Sequence, residues 1–469
     1  MFEIQESVVI QRDIETVFQY VSDLSHMAQW DPGVRVSKKI STGPIGPGSE
    51  FELTCAFFGF PYKMRYRLET FDAPNRVRFT GSGDSFSATD TISFHSVDQG
   101  TRIIYTLQLS FHDPNQWFLT CLGPAVRWIG KRAIKGLEDA FRPDAPLPDQ
   151  GLLDRWMDRA ILPGMLTFSK FGYRWRKKSW HPFTDSLKGK TVLVTGATSG
   201  IGKQTAMRCA RMKARTIVVG RNPRKVGKTC KEIFDETGNP EVSGKVADLA
   251  IISEVRDLAE DLNRAGQPIH VLINNAGALF GERDETADGI ERALAINLLA
   301  PFVLTTLLLP TLKASAQSRI VNVSSGGMYT ARLPIEDPGF KNTPYDGPKA
   351  YARAKRGLVV LTEIWAERFL PYGITVHAMH PGWVMTPGIS DALPRFTGLI
   401  RPFLRTPGQG ADTVVWLAAA REITGFSGGF WLDRRRHTTH VFSKTRDSVD
   451  DRKKLILLLE TLSGVRMSE

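Results

Sequence analysis

Four cysteines in 469 residues, Cys55, Cys121, Cys209 and Cys230, stand far apart, with no Cys-x-x-Cys pair and no histidine cluster beside them. That scarcity argues against a disulfide framework and a zinc site, and it points to a reducing, cytoplasmic compartment. The chain also lacks any apolar run of about 18 residues, the length a membrane-spanning helix needs. Its opening, Met-Phe-Glu-Ile-Gln-Glu, is acidic and has no apolar stretch of the kind that directs secretion. No internal repeat or low-complexity tract is present. Acidic residues are fewer than basic ones, 49 against 61, giving a formal net charge of +12. The basic surplus gathers beside aromatic residues at Lys170, Arg174, Arg176, Lys177 and Lys178, and again at Arg434–Arg436. Such a pattern suits an anionic membrane surface better than a nucleic-acid groove, with a merely solvated face as the alternative. What remains is an ordinary globular composition, 42% hydrophobic and 23% charged, with room for two or three domains.

Residues 1–145 form the first unit. A strand over Glu3–Ile10 leads into a short helix, Ile14–Val21, with Val17, Phe18 and Val21 on one face. Strand-like runs follow at Ser49–Cys55, Lys63–Phe71, Arg76–Gly81, Ala88–Ser93 and Thr101–Phe111. A long amphipathic helix over Gln116–Phe141 closes the unit, with Phe118, Leu122, Val126, Ile129 and Ile134 at helical spacing. This is the layout of an α+β helix-grip fold. Val17-Phe18, Tyr20-Val21, Asp23 and Trp30-Asp31-Pro32-Gly33 resemble the polyketide-cyclase and START-like lipid-binding superfamily. The resemblance implies a sheet wrapped around the long helix and an apolar ligand between them. Phe51, Phe57, Phe58, Phe60, Tyr62, Met64, Tyr66 and Trp117 either line that cavity or form core. His112-Asp113, just before a proline, reads as a turn rather than a catalytic dyad.

Pro143-Asp-Ala-Pro-Leu-Pro-Asp149 marks a boundary, and residues 146–187 read as an aromatic and basic linker. With Trp156, Phe168, Phe171, Tyr173, Trp175 and Trp180 among lysines and arginines, it either lies in a lipid headgroup layer or packs between the domains. From residue 188 to 445 strand-like runs alternate with helices, which argues a parallel sheet covered on both faces, an α/β Rossmann arrangement. The runs are Thr191–Thr195, Thr216–Val219, Val242–Ala247, His270–Asn274, Arg319–Ser324, Ile374–His380 and Gly428–Trp431. Helices are expected over Gly202–Lys213, Asp288–Leu312 and Tyr351–Phe369. Residues 446–469 form an amphipathic tail that docks on the fold or touches a membrane.

The most specific chemistry sits in this second domain. Thr191–Thr195 is a β-branched strand running into Gly196-Ala-Thr198-Ser199-Gly200-Ile201-Gly202, the order that delivers a phosphate to a helix N-terminus. Asn274-Asn275-Ala276-Gly277, Asn297, Ser324-Ser325, Tyr351-x-x-x-Lys355 and Pro381-Gly382 follow. Together these resemble the short-chain dehydrogenase/reductases, and within them the retinol-dehydrogenase-like branch, over nearly the whole domain. Hydride transfer at carbon must be matched by proton transfer at the adjacent oxygen. Tyr351 is the expected acid/base, with an ammonium at i+4, Lys355, favouring its phenolate. Ser325 would bind the substrate oxygen. By resemblance, Asn297 holds a water that relays protons to Lys355. Tyr345–Lys349 has the same offset, but Pro348 disfavours helix at Gly347 and separates that pair.

For the cofactor, Gly196, Thr198, Ser199, Gly200, Ile201 and Gly202 would cradle the pyrophosphate. Asn275, Ala276 and Gly277 border the site, Asp248 and Leu249 the adenine, and Tyr351 and Lys355 the nicotinamide ribose. Pro381, Gly382, Val384 and Thr386, with Trp383, would meet the nicotinamide end. At the end of the second strand stands Arg221 where NAD-selective sites carry a carboxylate, so NADP(H) is the expected cofactor. Met328, Tyr329, Leu333 and Phe340, in a long stretch between Ser325 and Tyr351, suit a bulky apolar substrate. The expected protein is an NADP(H)-dependent oxidoreductase interconverting a hydrophobic alcohol and its carbonyl, retinoid-, steroid- or lipid-like, with an apolar ligand in its first domain. The alternatives are a lipid-binding protein whose dehydrogenase domain only senses NADP(H), and a cyclase or dehydratase step in the first domain. The resemblance also implies pairing of two copies through the helices around Asn297 and Tyr351. No metal and no nucleic acid is expected.

Overall fold

The computed structural model describes residues 2–57, 60–83, 86–111, 130–141, 167–178, 180, 185–315, 317–385, 401–424, 426–441 and 445–467. Two compact units divide the chain, Met1–Arg155 and Trp156–Glu469.

In the first unit β1 (Phe2–Ile10) is followed by α1 (Ile14–Ser22), which starts where the Asp13 carboxylate accepts the Thr16 N–H at 2.8 Å. A short α2 (Met27–Trp30) leads to β2 (Val34–Lys39), β3 (Glu50–Phe57), β4 (Phe60–Asp72), β5 (Arg76–Ser82), β6 (Phe86–Val97) and β7 (Gly100–Phe111). All pairings are antiparallel, in the order β1-β7-β6-β5-β4-β3-β2. Along β5 exposed and buried positions alternate, so one face of the sheet carries the core. Phe51, Leu53, Met64, Leu68, Val77, Phe79, Ile92, Phe94 and Ile103 fill that face, and Phe18 of α1 meets Phe71 and Phe94 edge-on. Residues 130–140 are helical (α3) and bury Ala133, Ile134, Leu137 and Ala140. Of the aromatic set expected at a cavity, Phe51, Met64 and Tyr66 are buried. Phe58, His112, Asp113, Trp117, Phe118, Leu122, Val126 and Ile129, and the side chains of Phe57, Phe60 and Tyr62, lie outside the described residues. A carboxyl group is among the polar side chains buried here. Asp90, buried, accepts the Tyr105 hydroxyl at 2.6 Å, and burial pushes its carboxyl up to about 6.

In the second unit α4 (Lys170–Lys177) starts at Ser169, whose hydroxyl accepts the Phe171 N–H. Then come β8 (Thr191–Thr195), α5 (Gly200–Arg211), β9 (Arg215–Gly220), α6 (Pro223–Thr237), β10 (Val242–Val246), α7 (Ile252–Arg264) and β11 (Val271–Asn274). After α8 (Ala300–Leu307) and α9 (Leu309–Lys313) follow β12 (Arg319–Val323), α10 (Gly347–Phe369), β13 (Thr375–Met379) and α11 (Pro407–Ala419). β14 (Phe430–Leu432), β15 (Arg435–His437) and α12 (Val449–Ser463) end the unit. The sheet runs β10-β9-β8-β11-β12-β13-β14-β15, parallel except for its last pair. Buried strands such as Thr191–Thr195 and Thr375–Met379 are inward on both faces, as a parallel sheet covered by helices requires. The order reverses between β8 and β11, which opens a crevice at their carboxyl ends.

Three expectations change. The helix expected over Asp288–Leu312 is segmented into a short turn at Arg292–Leu294, a π-helical turn at Ala295–Leu299, α8 and α9. Pro301 and Pro310 open the last two pieces, where their missing N–H groups cost nothing. The long helix α10 begins at Gly347, not Tyr351, because Pro348 sits in its first turn and the Asp346 carboxylate accepts the Lys349 N–H. The basic clusters are also not uniformly exposed. Arg176 is 3% and Arg436 1% exposed, each drawn inward by a buried partner, Asp433 for the first and the Phe426 ring for the second. The tail docks: Leu455 and Leu459 of α12 join the core with Leu298, Leu358 and Trp365. Among the described residues no helix is long and apolar enough to cross a membrane.

Candidate active site

β8 ends in a turn built to approach another group closely. Gly196 has φ +62°, and a Cβ there would lie 2.8 Å from the Ala276 Cα. A Cβ on Gly202 would lie 2.4 Å from both the Gly196 carbonyl and the Asn275 carboxamide. The Thr195 hydroxyl accepts the Asn275 and Ala276 N–H groups at 3.0 Å each, and Asn275 Nδ2 donates to the Thr195 carbonyl at 2.8 Å. Thus the Asn-Asn-Ala-Gly segment is strapped to the turn. Ser199 occupies the N-cap of α5 without capping it, so its hydroxyl and the first-turn N–H groups at Gly200, Ile201 and Gly202 face outward from the helix start. Thr198 packs on Gly220 at the end of β9. Arg221 follows, exposed and without an ion pair among the described residues, beside the exposed Arg224 and Lys225. Asp248 caps its own turn by accepting the Ala250 N–H, and Leu249 is buried below it. A glycine turn and an uncapped helix start fit the pyrophosphate of a dinucleotide.

The candidate catalytic residues gather near the carboxyl ends of β11 and β12. Lys355, 2% exposed, donates to the Val323 carbonyl at 2.8 Å. Its Nζ lies 5.7 Å from the Tyr351 ring centroid. Ser325 caps the 3₁₀ turn Gly326–Thr330, accepting the Gly327 N–H at 3.3 Å, and its hydroxyl bonds the Tyr351 phenol. Asn297 sits in the π-helical turn, donating to the Ala278 and Ala293 carbonyls at 2.8 Å while its Oδ1 accepts the Ala278 N–H. A Cβ on Gly277 would touch both Asn297 Oδ1 (2.6 Å) and Lys355 Nζ (3.0 Å), so these two side chains meet across the glycine. Burial dominates the titrations: it pushes the Tyr351 phenol up to about 12, against the Ser325 hydrogen bond, and brings Lys355 down to about 7. Desolvation thus moves the phenol upward, where the lysine alone was expected to lower it. Tyr345 is kept apart from this group: its hydroxyl donates to Glu291 at 3.1 Å, and it precedes α10.

Beyond β13, Pro381, Gly382 and Trp383 are half-buried and Val384 buried, while Thr386 lies outside the described residues. This loop is held by a group the sequence reading did not find. Arg405, buried, pairs with both oxygens of Asp433 at 2.6 and 2.8 Å and donates to the carbonyls of Thr167, Phe168 and Pro381. Arg176 of α4 joins the same carboxylate at 3.2 Å. The described part of the expected linker is thus built into the second unit, directly against the loop. No motif announces Arg405. Asp433, at φ +52° after β14, leaves the weaker mark of a turn residue after a short apolar strand.

Comparison with known proteins places these features in context. Residues 190–394 match the family model described as short chain dehydrogenase, and residues 1–142 match that described as polyketide cyclase / dehydrase and lipid transport. Dehydrogenase/reductase SDR family member 12 of Bos taurus is 39% identical over 306 residues, covering 64% of this chain and 95% of that protein. Retinol dehydrogenase 12 of Homo sapiens is 36% identical over 264 residues, 56% of this chain and 83% of that one. Among solved structures, an uncharacterised protein from Mycobacterium paratuberculosis is 25% identical and aligns with a TM-score of 0.49, over 61% of this chain and 97% of that chain.

Proposed function

Since the chain belongs to the short-chain dehydrogenase/reductase family of oxidoreductases, we propose that it interconverts a hydrophobic alcohol and its carbonyl with NADP(H). The observation that carries this reading is the meeting of Ser325, Tyr351, Lys355 and Asn297 beside the glycine turn. NADPH, when bound, supplies hydride to the carbonyl carbon. Tyr351 gives its phenolic proton to the carbonyl oxygen as charge develops there, and Ser325 donates a hydrogen bond to the same oxygen. A phenol near 12 is a reluctant base but a competent donor to a forming alkoxide. Lys355, charged once an anionic group is near, stabilises the phenolate left behind. Asn297, against Lys355, stands where a proton can return from solvent. Tyr351→Phe should lower turnover by about 10²–10⁴-fold while NADPH binding stays nearly intact. Retained activity, with loss in Tyr345→Phe instead, would refute the assignment. For the cofactor, Arg221→Asp should shift relative affinity from NADPH towards NADH; a wild type that already prefers NADH defeats the argument.

Two finer points rest on separate observations. Met328, Leu333 and Phe340 are taken up in core clusters, so the apolar substrate class rests on the likeness to retinol dehydrogenases. The first unit's apolar inner face supports a second, apolar ligand there; saturable binding of a fluorescent fatty-acid analogue to the full chain tests it. On α4, Phe171 and Trp175 are half exposed beside exposed Arg174, Lys177 and Lys178. That face supports peripheral contact with an anionic bilayer, read by sedimentation with anionic against neutral vesicles and its loss with salt.

A further inference from the structure

Arg356 follows the site's lysine but faces away from the reaction. Its side chain is wholly buried and spans three parts of the fold. Nη1 donates to the Thr439 carbonyl at 2.5 Å and reaches Met328 Sδ at 3.6 Å, while Nη2 contacts the His440 ring and pairs with Asp447. Met328 belongs to the 3₁₀ turn that Ser325 caps, and it packs against Val359, Ala378 and Phe430. The neighbouring Tyr329 is tied to the same late segment twice: its hydroxyl donates to the Thr438 carbonyl at 2.9 Å, and its carbonyl accepts the Thr445 hydroxyl at 3.3 Å. The turn therefore rests on α10 along Ala352, Arg356 and Val359, one helical stripe, and is strapped from behind by residues 438–441 and 445–447. Beyond the strap, α12 docks by contacts of its own, with Arg452 paired to the buried Glu363 of α10 and Leu455 and Leu459 in the core.

We propose that Arg356 and Asp447 are positioning residues that fix the Ser325 turn against the Tyr351 helix and so set the Ser325–Tyr351 hydrogen bond. The proposal rests on the dehydrogenase reading for its kinetic consequence, but not for its structural one. Neither residue touches the reacting atoms. A carboxylate and guanidinium buried together hold a fixed separation, and loss of the charge on one leaves the other unpaired and free to draw water into the joint.

The test uses the full chain in three variants. Asp447→Asn keeps the shape and removes the charge. Tyr329→Phe removes one strap bond and serves where the first fails to fold. Leu459→Ala weakens the tail's docking without touching the turn. Hydrogen exchange of the peptide spanning residues 325–331 should rise about tenfold in the first two and remain at the wild-type level in Leu459→Ala. With NADPH and an aromatic aldehyde as probe, kcat should fall about tenfold to a hundredfold in the first two, with NADPH affinity within about twofold of wild type. Unchanged exchange at 325–331 in folded Asp447→Asn and Tyr329→Phe overturns the proposal, as does an equal kcat loss in Leu459→Ala. If Tyr351→Phe retains activity, the reaction assignment fails while the exchange result still decides the role of the strap.

Discussion

Lys355→Met should stabilise the ligand-free protein below neutral pH, although it removes a residue of the proposed reaction. The lysine is 2% exposed, and burial lowers it from 10.5 to about 7. Between about pH 7 and 10.5 the folded chain therefore binds fewer protons than the unfolded one, and stability rises with pH across that window. Below pH 7 the folded protein carries the full cost of a buried charge. The gap from 10.5 to about 7, at about 1.4 kcal/mol per pH unit, comes to about 5 kcal/mol. Methionine fills similar space without charge, but it leaves the Val323 carbonyl without its 2.8 Å donor, at about 1–3 kcal/mol. The net gain at pH 6 is about 2–4 kcal/mol. It should shrink above pH 7 and turn into a loss between about pH 8.5 and 10. Urea unfolding of ligand-free wild type and variant at pH 6, 8 and 10, following the transition of the dehydrogenase unit, reads the difference directly. A variant less stable than wild type at pH 6, or a difference that does not vary with pH, would refute the reasoning.

Three further outcomes are expected. Gly202→Ala places a methyl 2.4 Å from the Gly196 carbonyl and the Asn275 carboxamide, so NADPH binding followed by fluorescence should be lost, with destabilisation of about 1–3 kcal/mol. Arg405→Met breaks a pair in which both partners are 1% exposed and should lower stability by about 3–5 kcal/mol in denaturant titration. In the first unit the Asp90 carboxyl is raised from 3.8 to about 6, so the folded state binds its proton more tightly and stability falls as pH rises from about 4 to 6. Asp90→Asn should accordingly be more stable than wild type at pH 7, by up to about 3 kcal/mol, and equal to it near pH 4.

Much of the second unit was legible because its constraints are local. A β-branched run, glycines where a Cβ cannot fit, and a tyrosine four residues before a lysine each declare themselves within a few positions. The alternation of strand and helix likewise follows from short-range periodicity. What escaped depends on residues far apart in the chain. Arg405 and Asp433 are 28 positions apart, and Arg176 reaches the same carboxylate across 257; each looks like an ordinary surface charge alone. Arg176 and Arg436 accordingly fell within the basic clusters expected at a membrane surface or in solvent, though both are buried. The proton affinities of Tyr351 and Lys355 were misread for a related reason. Spacing gives their mutual attraction, whereas desolvation depends on how many distant segments close around them. Proline was ambiguous too: Pro348 stops a helix from behind but opens one from its first turn, and only the Asp346 cap decides which.

The grip of Arg405 on Thr167, Phe168 and Asp433 bears on how this protein can be taken apart. A fragment cut at the apparent start of the dinucleotide fold, near residue 188, would lose α4 and the three residues before it. Arg405 would then have three carbonyl partners fewer, at Thr167, Phe168 and Ser169, Asp433 would lose Arg176, and the Trp383 amide would lose the Phe168 carbonyl it bonds at 2.9 Å. Poor yield from such a fragment would report a misplaced scissors cut rather than dependence on the N-terminal unit. The permissible excision point lies upstream of Thr167, so the start of the family match at residue 190 is not the place where the second unit can be cut free.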